Sequence, residues 1–216
     1  MTEHSPEFKH HVGHHFTDAE QEFNANKFGF WLFLATEVLM FGGLFVAYAV
    51  FSNLYPEMWA AASGHLDRIM GGSNTVVLIV SSLTMALAVR ASQTDNRKAT
   101  IVFLVCTLAL AATFMVIKYF EYSAKFEHGL LPGQWYTPHG PDTPAQGNLF
   151  FGLYFMTTGL HGIHVLAGMV AISWLLRKAV KGQFSSRWYT PVEIVGLYWH
   201  LVDLVWIYLF PLYYLV

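Results

Sequence analysis

The chain has 216 residues, of which 55% are hydrophobic and only 12% charged, about half the charged share of a soluble domain. That composition argues against an ordinary soluble globule. The net charge of −2, with no basic run, argues against a nucleic-acid partner. Five apolar stretches approach the roughly 20 residues that cross a bilayer, so the expected fold class is an all-α integral membrane bundle of five transmembrane helices.

Residues 1–27 form a polar tail carrying His4, His10, His11, His14 and His15. It has no apolar core, so it does not read as a secretory signal. It reads as a solvated terminus that could collect metal ions. Residues 28–216 form the membrane domain. Phe28–Phe51 is the first predicted span and contains Glu37, followed by the small pair Gly42 and Gly43. The connection Ser52–Ser73, with Trp59 and a run of alanines, suits a short surface helix. Asn74–Val89 is the second span, closed by Arg90. Ala99–Ile117 is the third, closed by Lys118. It holds Cys106, the only cysteine, which rules out an intrachain disulfide and reads as buried packing.

Glu127–Gly147 is the longest connection. Pro132, Pro138, Pro141 and Pro144 predict an irregular path. Trp135, Tyr136 and Tyr154 suit the headgroup level. Leu149–Leu176 is the fourth span, and Ile194–Val216, with Asp203, the fifth. Nine of the twelve Lys and Arg fall on the side of the N-terminus and three on the other. The positive-inside rule then puts the N-terminus in the cytoplasm and the C-terminus outside. No internal repeat of the inverted-transporter kind is evident.

The polar residues within the spans carry the chemistry. A charge at the bilayer centre costs on the order of 3 kcal/mol or more, so such groups face protein and commonly serve a function. In the fourth span Thr157, His161, His164 and Gly168 fall on one helix face, as do Glu193, Gly196, His200 and Asp203 in the fifth. The glycine in each stripe would let another helix come close. At a rise of about 1.5 Å per residue, Glu37 lies roughly 14 Å deep, His200 roughly 10–12 Å, Asp203 roughly 14–16 Å, and His161 and His164 roughly 18–22 Å. These five could form one membrane-embedded polar layer, tolerable if neutral histidines hydrogen-bond carboxyl groups or the acids are protonated. Two readings stand for each. His161 and His164 are interhelical hydrogen-bond glue or ligands. His200 and Asp203 are a local pair fixing helix rotation or part of a functional site. Glu37 has no partner nearby in sequence. A haem between two histidines at matched depth would need His161 or His164 with His200. No cysteine pair or CxxCH motif supports it, and no metal ligand set is expected.

At these residues the chain resembles subunit III of the haem–copper oxidases, most closely the cytochrome c oxidase type. The resemblance runs from about Lys27 to Val216. Its most specific segments are TGLHGIHVLAG and YWHLVDLVW, joined by FGFWLFLATEVLMFGGLF around Glu37, NTVVLIVSS from Asn74, and KYFEY with Glu121. The resemblance implies a non-catalytic subunit without haem, copper or catalytic residue of its own. Haem and copper would sit in subunits I and II, its partners, and cytochrome c or a cytochrome c domain would donate electrons to a complex that reduces dioxygen to water while translocating protons. It also implies structural phospholipid, packing on subunit I, and support of proton uptake and turnover, in a bacterial cytoplasmic membrane. The glutamate of LATEVLMF takes the family's membrane-embedded acidic position. Asn74, Glu121, Trp199 and Trp206 become candidates for interface or lipid contact. The two N-terminal helices of the seven-helix form are missing, so the lipid-filled cleft they line is not expected from this chain alone. Quinol oxidases also have a five-helix subunit III, so that class is the alternative. A b-type haem anchor and an autonomous channel or carrier are rivals of other classes.

Overall fold

The computed structural model describes residues 17–137, 147–186 and 188–216. The histidines of the tail, and Pro138, Pro141 and Pro144 of the long connection, lie outside the described residues.

Among the described residues six α-helices follow in chain order: α1 (Ala19–Leu54), α2 (Pro56–Ser63), α3 (Arg68–Gln93), α4 (Arg97–Glu127), α5 (Asn148–Val180) and α6 (Thr190–Tyr214). A 3-10 turn, Gly133–Trp135, lies in the connection between α4 and α5. All but α2 are long and apolar enough to cross a membrane. The helices outrun the apolar segments because polar side chains cap them beyond those segments. The Asp18 carboxylate accepts the Gln21 N–H at 2.7 Å and starts α1 well before Phe28. Asp67 accepts from the N–H groups of Ile69 and Met70, and Asn96 from Ala99. α4 does not stop at Lys118 but runs on to Glu127, because the charged residues of its last turns find partners inside the fold.

α3, α4, α5 and α6 form the core, with α3 packed on α4 and α6, and α5 packed on the same two. α3 and α6 run antiparallel: Gly71 faces Tyr214 and Phe210 at one end, and Gly196 faces Val89 at the other. Two glycines of the polar stripes allow close approach, as their positions predict. A β-carbon on Gly168 would lie 2.6 Å from the Trp199 ring, and one on Gly196 would lie 3.0 Å from Val89. α1 lies on the flank, against α5 and α6. The short helix α2 does not lie free on the surface. Its Trp59 is fully buried, edge-on to Tyr48 and Phe150 with ring centroids 5.2 and 5.1 Å away.

At the end of the bundle carrying the α3–α4 turn, Asp95 adopts a positive φ of 55° and its carboxylate accepts the Ser186 N–H at 2.6 Å. Arg97 there donates to the carbonyls of Ala179 and Val180 at the C-terminus of α5, where a cation is favoured. These contacts tie the end of α5 and Ser186 to the α3–α4 turn.

Candidate functional site

Glu37 and His164 meet across the α1–α5 seam, with His164 Nε2 2.8 Å from Glu37 Oε2. The other ring nitrogen, Nδ1, lies 2.8 Å from the Leu160 carbonyl, which can only accept, so Nδ1 donates. Nε2 therefore turns its lone pair or its second proton towards the carboxyl. Either the acid donates to a neutral imidazole, or an imidazolium donates to a carboxylate. Both forms are neutral as a pair, and a pair of zero net charge is what a low-dielectric setting tolerates. Phe41 packs against the ring of His164 at 5.3 Å, and the Tyr198 hydroxyl donates to the His164 carbonyl at 3.0 Å. The two side chains are 15% and 14% exposed, so the seam shields the pair without closing it.

His200 and Asp203 lie on a different seam. His200 Nδ1 is 2.7 Å from the Ser82 hydroxyl of α3. Asp203 makes no hydrogen bond to His200. Its carboxyl group is buried, and neither oxygen has a hydrogen-bond partner among the described residues. His161 is wholly enclosed between Phe114 and Trp206, with ring centroids 5.6 and 5.3 Å away, and neither ring nitrogen has a hydrogen-bond partner among the described residues. The five polar positions thus divide into a pair at α1–α5, a group at α3–α6 and a lone core histidine. Among the described residues no hydrogen bond joins Glu37 or His164 to His200 or Asp203. Among the described residues, too, no three His, Cys, Asp or Glu side chains converge as a metal site.

Asn74, Glu121, Trp199 and Trp206 are enclosed by the chain itself. All four are at most 1% exposed. Trp199 donates to Ser81 at 3.0 Å and Trp206 to Thr75 at 3.1 Å, which locks α6 to α3. Asn74 is buried, and among the described residues its amide has no hydrogen-bond partner. Indole N–H groups enclosed in a bundle need acceptors, and the hydroxyls of α3 supply them.

Glu121 is the centre of a network that the sequence reading misses. Lys118 Nζ lies 2.9 Å from Glu121 Oε2, and Lys125 Nζ lies 3.1 Å from Oε1. Tyr154 and Tyr214 donate to the same Oε1 at 2.9 and 2.6 Å. Lys118 also reaches both tyrosine oxygens, at 3.1 and 3.0 Å. Tyr154 is therefore a core residue, not a headgroup anchor. The available signal is the spacing: Lys118, Glu121 and Lys125 are three and four apart and share a helix face. Reading the first lysine as the end of a span hides it.

Five apolar helices with ionisable side chains held at helix seams define a polytopic, all-α integral membrane protein. The family model of cytochrome c oxidase subunit III matches residues 7–129 and 141–216. A cytochrome c oxidase subunit 3 of Synechocystis is 33% identical over 189 residues, covering 87% of this chain and 74% of its own. A cytochrome bo(3) ubiquinol oxidase subunit 3 of Pseudomonas aeruginosa is 30% identical over 210 residues, covering 95% and 92%. A protein of Aeropyrum pernix described as haem-copper oxidase subunit I+III is 34% identical over 193 residues; they make up 86% of this chain but only 22% of that protein. The chain belongs to the cytochrome c oxidase subunit III family, in its five-helix form. Within that family it is an accessory membrane subunit.

Proposed function

We propose that this chain is the non-catalytic subunit III of a proton-pumping terminal oxidase of the cytochrome c oxidase type. In this reading it sits in a bacterial cytoplasmic membrane with its N-terminus inside. It packs on subunit I, holds phospholipid and supports proton uptake and sustained turnover. Haem and copper belong to subunits I and II. The observation that carries the reading is the Glu37–His164 pair. It is a carboxyl and an imidazole at hydrogen-bond distance, neutral as a pair, placed in the membrane on a family scaffold. The geometry supports a proton-holding role.

The ubiquinol oxidase class is the second reading. It is favoured by the Pseudomonas relative, which this chain matches nearly end to end. Tagged chain, solubilised under mild detergents, should bring down haem–copper subunits. A turnover assay with cytochrome c and with quinol then separates the two classes. Recovery of the chain alone under every gentle condition would overturn the assignment. Glu37→Gln should leave assembly and initial electron transfer near normal, but shift the pH dependence of turnover or shorten its lifetime. An unchanged pH profile and lifetime would reduce Glu37 to a structural residue.

A further inference from the structure

The end of α5 carries three cations: Arg177 and Lys178 in its last turn, and Lys181 at its C-cap. Basic side chains there ordinarily serve the carbonyls that a helix leaves open. Here other groups do so. The N–H groups of Gly182 and Gln183 donate to the Ala179 and Lys178 carbonyls at 3.0 and 3.1 Å. Arg97 of α4 donates to the Ala179 and Val180 carbonyls. Nor do acids hold the three cations. Among the described residues none of them forms an ion pair, and Glu193 is taken by Lys27. Lys178 is held by rings instead. Its ammonium lies 4.0 Å from the centroid of Trp174 and 5.4 Å from that of Trp188, which stacks on Phe184 at 5.8 Å. Arg177 and Lys181 are exposed. Their face of α5 continues as an apolar track. Ile163, Leu166, Val170 and Trp174 are all exposed. Their spacing of three, four and four puts them in line with one another and with Arg177 and Lys181. From Ile163 to Arg177 is about 21 Å of helix, enough to cross the roughly 15 Å of hydrocarbon in one leaflet and reach its headgroups.

We propose that this face of α5 binds one anionic phospholipid, with its acyl chains along Ile163, Leu166 and Val170 and its phosphate among Arg177, Lys178 and Lys181. The two halves of the face call for the two halves of such a molecule. Acyl chains match an apolar track that lies in hydrocarbon. Three cations without counter-ions match a headgroup of net negative charge, whereas a zwitterionic headgroup neutralises its own phosphate. A free phosphate would meet the cations and leave the track unused. Trp174 stands where the two halves join, at the depth where indoles favour the interface, and it fixes the Lys178 ammonium there. Each cation beside an anionic lipid surface strengthens binding about fivefold. This site rests on the lipid-holding role proposed above and gives that role a headgroup class and a helix face.

The test uses the full chain, with whatever subunits accompany it, in mixed micelles holding equal amounts of phosphatidylglycerol and phosphatidylcholine. Native mass spectrometry counts the lipids retained. Wild type should retain phosphatidylglycerol in preference to phosphatidylcholine. The triple change Arg177→Gln, Lys178→Gln, Lys181→Gln should retain one phosphatidylglycerol fewer, its affinity falling about fivefold for each charge removed. Lys181→Gln alone, at an exposed side chain, should show a single fivefold step. Lys178→Arg keeps both the charge and the ring contact and should retain the lipid. Excess glycerol phosphate, a headgroup without chains, should not displace it. Equal phosphatidylglycerol retention in wild type and the triple variant would overturn the site. Displacement by glycerol phosphate would reduce it to an anion site, and a partner chain cross-linked to Lys181 in the lipid's place would make it a protein interface; either result overturns the proposal. Equal retention of both lipids would overturn the anionic site and leave lipid holding intact, whereas retention of neither would overturn both.

Discussion

Glu121→Gln tests the buried ion network most directly. The carboxylate is 1% exposed and accepts from two ammonium groups and two phenols, at 2.9, 3.1, 2.9 and 2.6 Å. The two lysine side chains are 8% and 5% exposed. An amide removes the one anion in contact with both ammonium groups. It also turns an N–H₂ donor towards a shell made of donors. Removing one partner of a buried pair costs about 3–5 kcal/mol, because the remaining charge is left uncompensated. An exposed pair would cost roughly 0–1 kcal/mol. The assay is unfolding of the full chain in mixed micelles, followed by far-ultraviolet circular dichroism, with the micelle composition held fixed. Glu121→Gln should lose about 3 kcal/mol or more. The triple change Lys118→Met, Glu121→Leu, Lys125→Met leaves no buried charge and should recover most of that loss, since apolar replacement of a whole buried network is commonly neutral or stabilising. A loss within about 1 kcal/mol for Glu121→Gln would refute the argument. So would a triple variant less stable than the single one.

Gly168→Ala places a methyl 2.6 Å from Trp199 and should cost about 1–3 kcal/mol of overpacking in the same assay. Gly43→Ala, where nothing lies within 4 Å, should be neutral or slightly stabilising. Gly129 combines a positive φ of 67° with the Thr137 carbonyl 2.1 Å from where a β-carbon would stand. Gly129→Ala should release the segment 129–137, read as faster limited proteolysis there with the helices still folded. Equal cleavage of Gly129→Ala and wild type would count against that turn being fixed by glycine.

The spans were legible because apolar length and the rarity of charge report membrane burial directly, and Glu37, His164, His200 and Asp203 stood out for the same reason. Which of them meet was not legible. Register between helices depends on lateral packing, and Glu37 and His164 are 127 residues apart. Ser82 gave no signal, since a serine in a span is ordinary until His200 is seen beside it. The lysines misled for a physical reason. Lys118 and Lys125 read as the polar edge of a span, yet Glu121, Tyr154 and Tyr214 together offer enough partners to take both inside. Asn74, Trp199 and Trp206 read as contact residues because aromatic and amide groups in spans suit either an interface or a core, and only the positions of α3 and α5 decide between them.

The attachment of α1 shows why Glu37 admits both a structural and a protonic reading, and how to separate them. Much of α1 faces outward, with Phe28 67%, Leu39 75% and Val46 64% exposed. In hydrocarbon, lipid competes evenly for such surface, so apolar contact gives α1 little reason to hold one position. Three polar latches do that instead. Lys27 pairs with Glu193 at 3.0 Å, Glu37 with His164 at 2.8 Å, and the Tyr48 hydroxyl donates to the Leu212 carbonyl. From Lys27 to Tyr48 is about 31 Å of helix, close to the hydrocarbon thickness. The Lys27 latch is at the rim and partly exposed, so it is worth roughly 1 kcal/mol at most. Glu37 therefore fixes the middle of a helix otherwise held near its ends. Because His164 Nδ1 is committed to Leu160, Nε2 can accept a hydrogen bond from an amide as readily as from an acid. Glu37→Gln keeps the latch and removes only the titratable proton, whereas Glu37→Leu removes both. Spin labels on α1 and α6 should report an unchanged distance distribution in Glu37→Gln and a broadened one in Glu37→Leu. A narrow distribution in Glu37→Leu would mean that apolar packing alone positions α1, and the latch argument would fall.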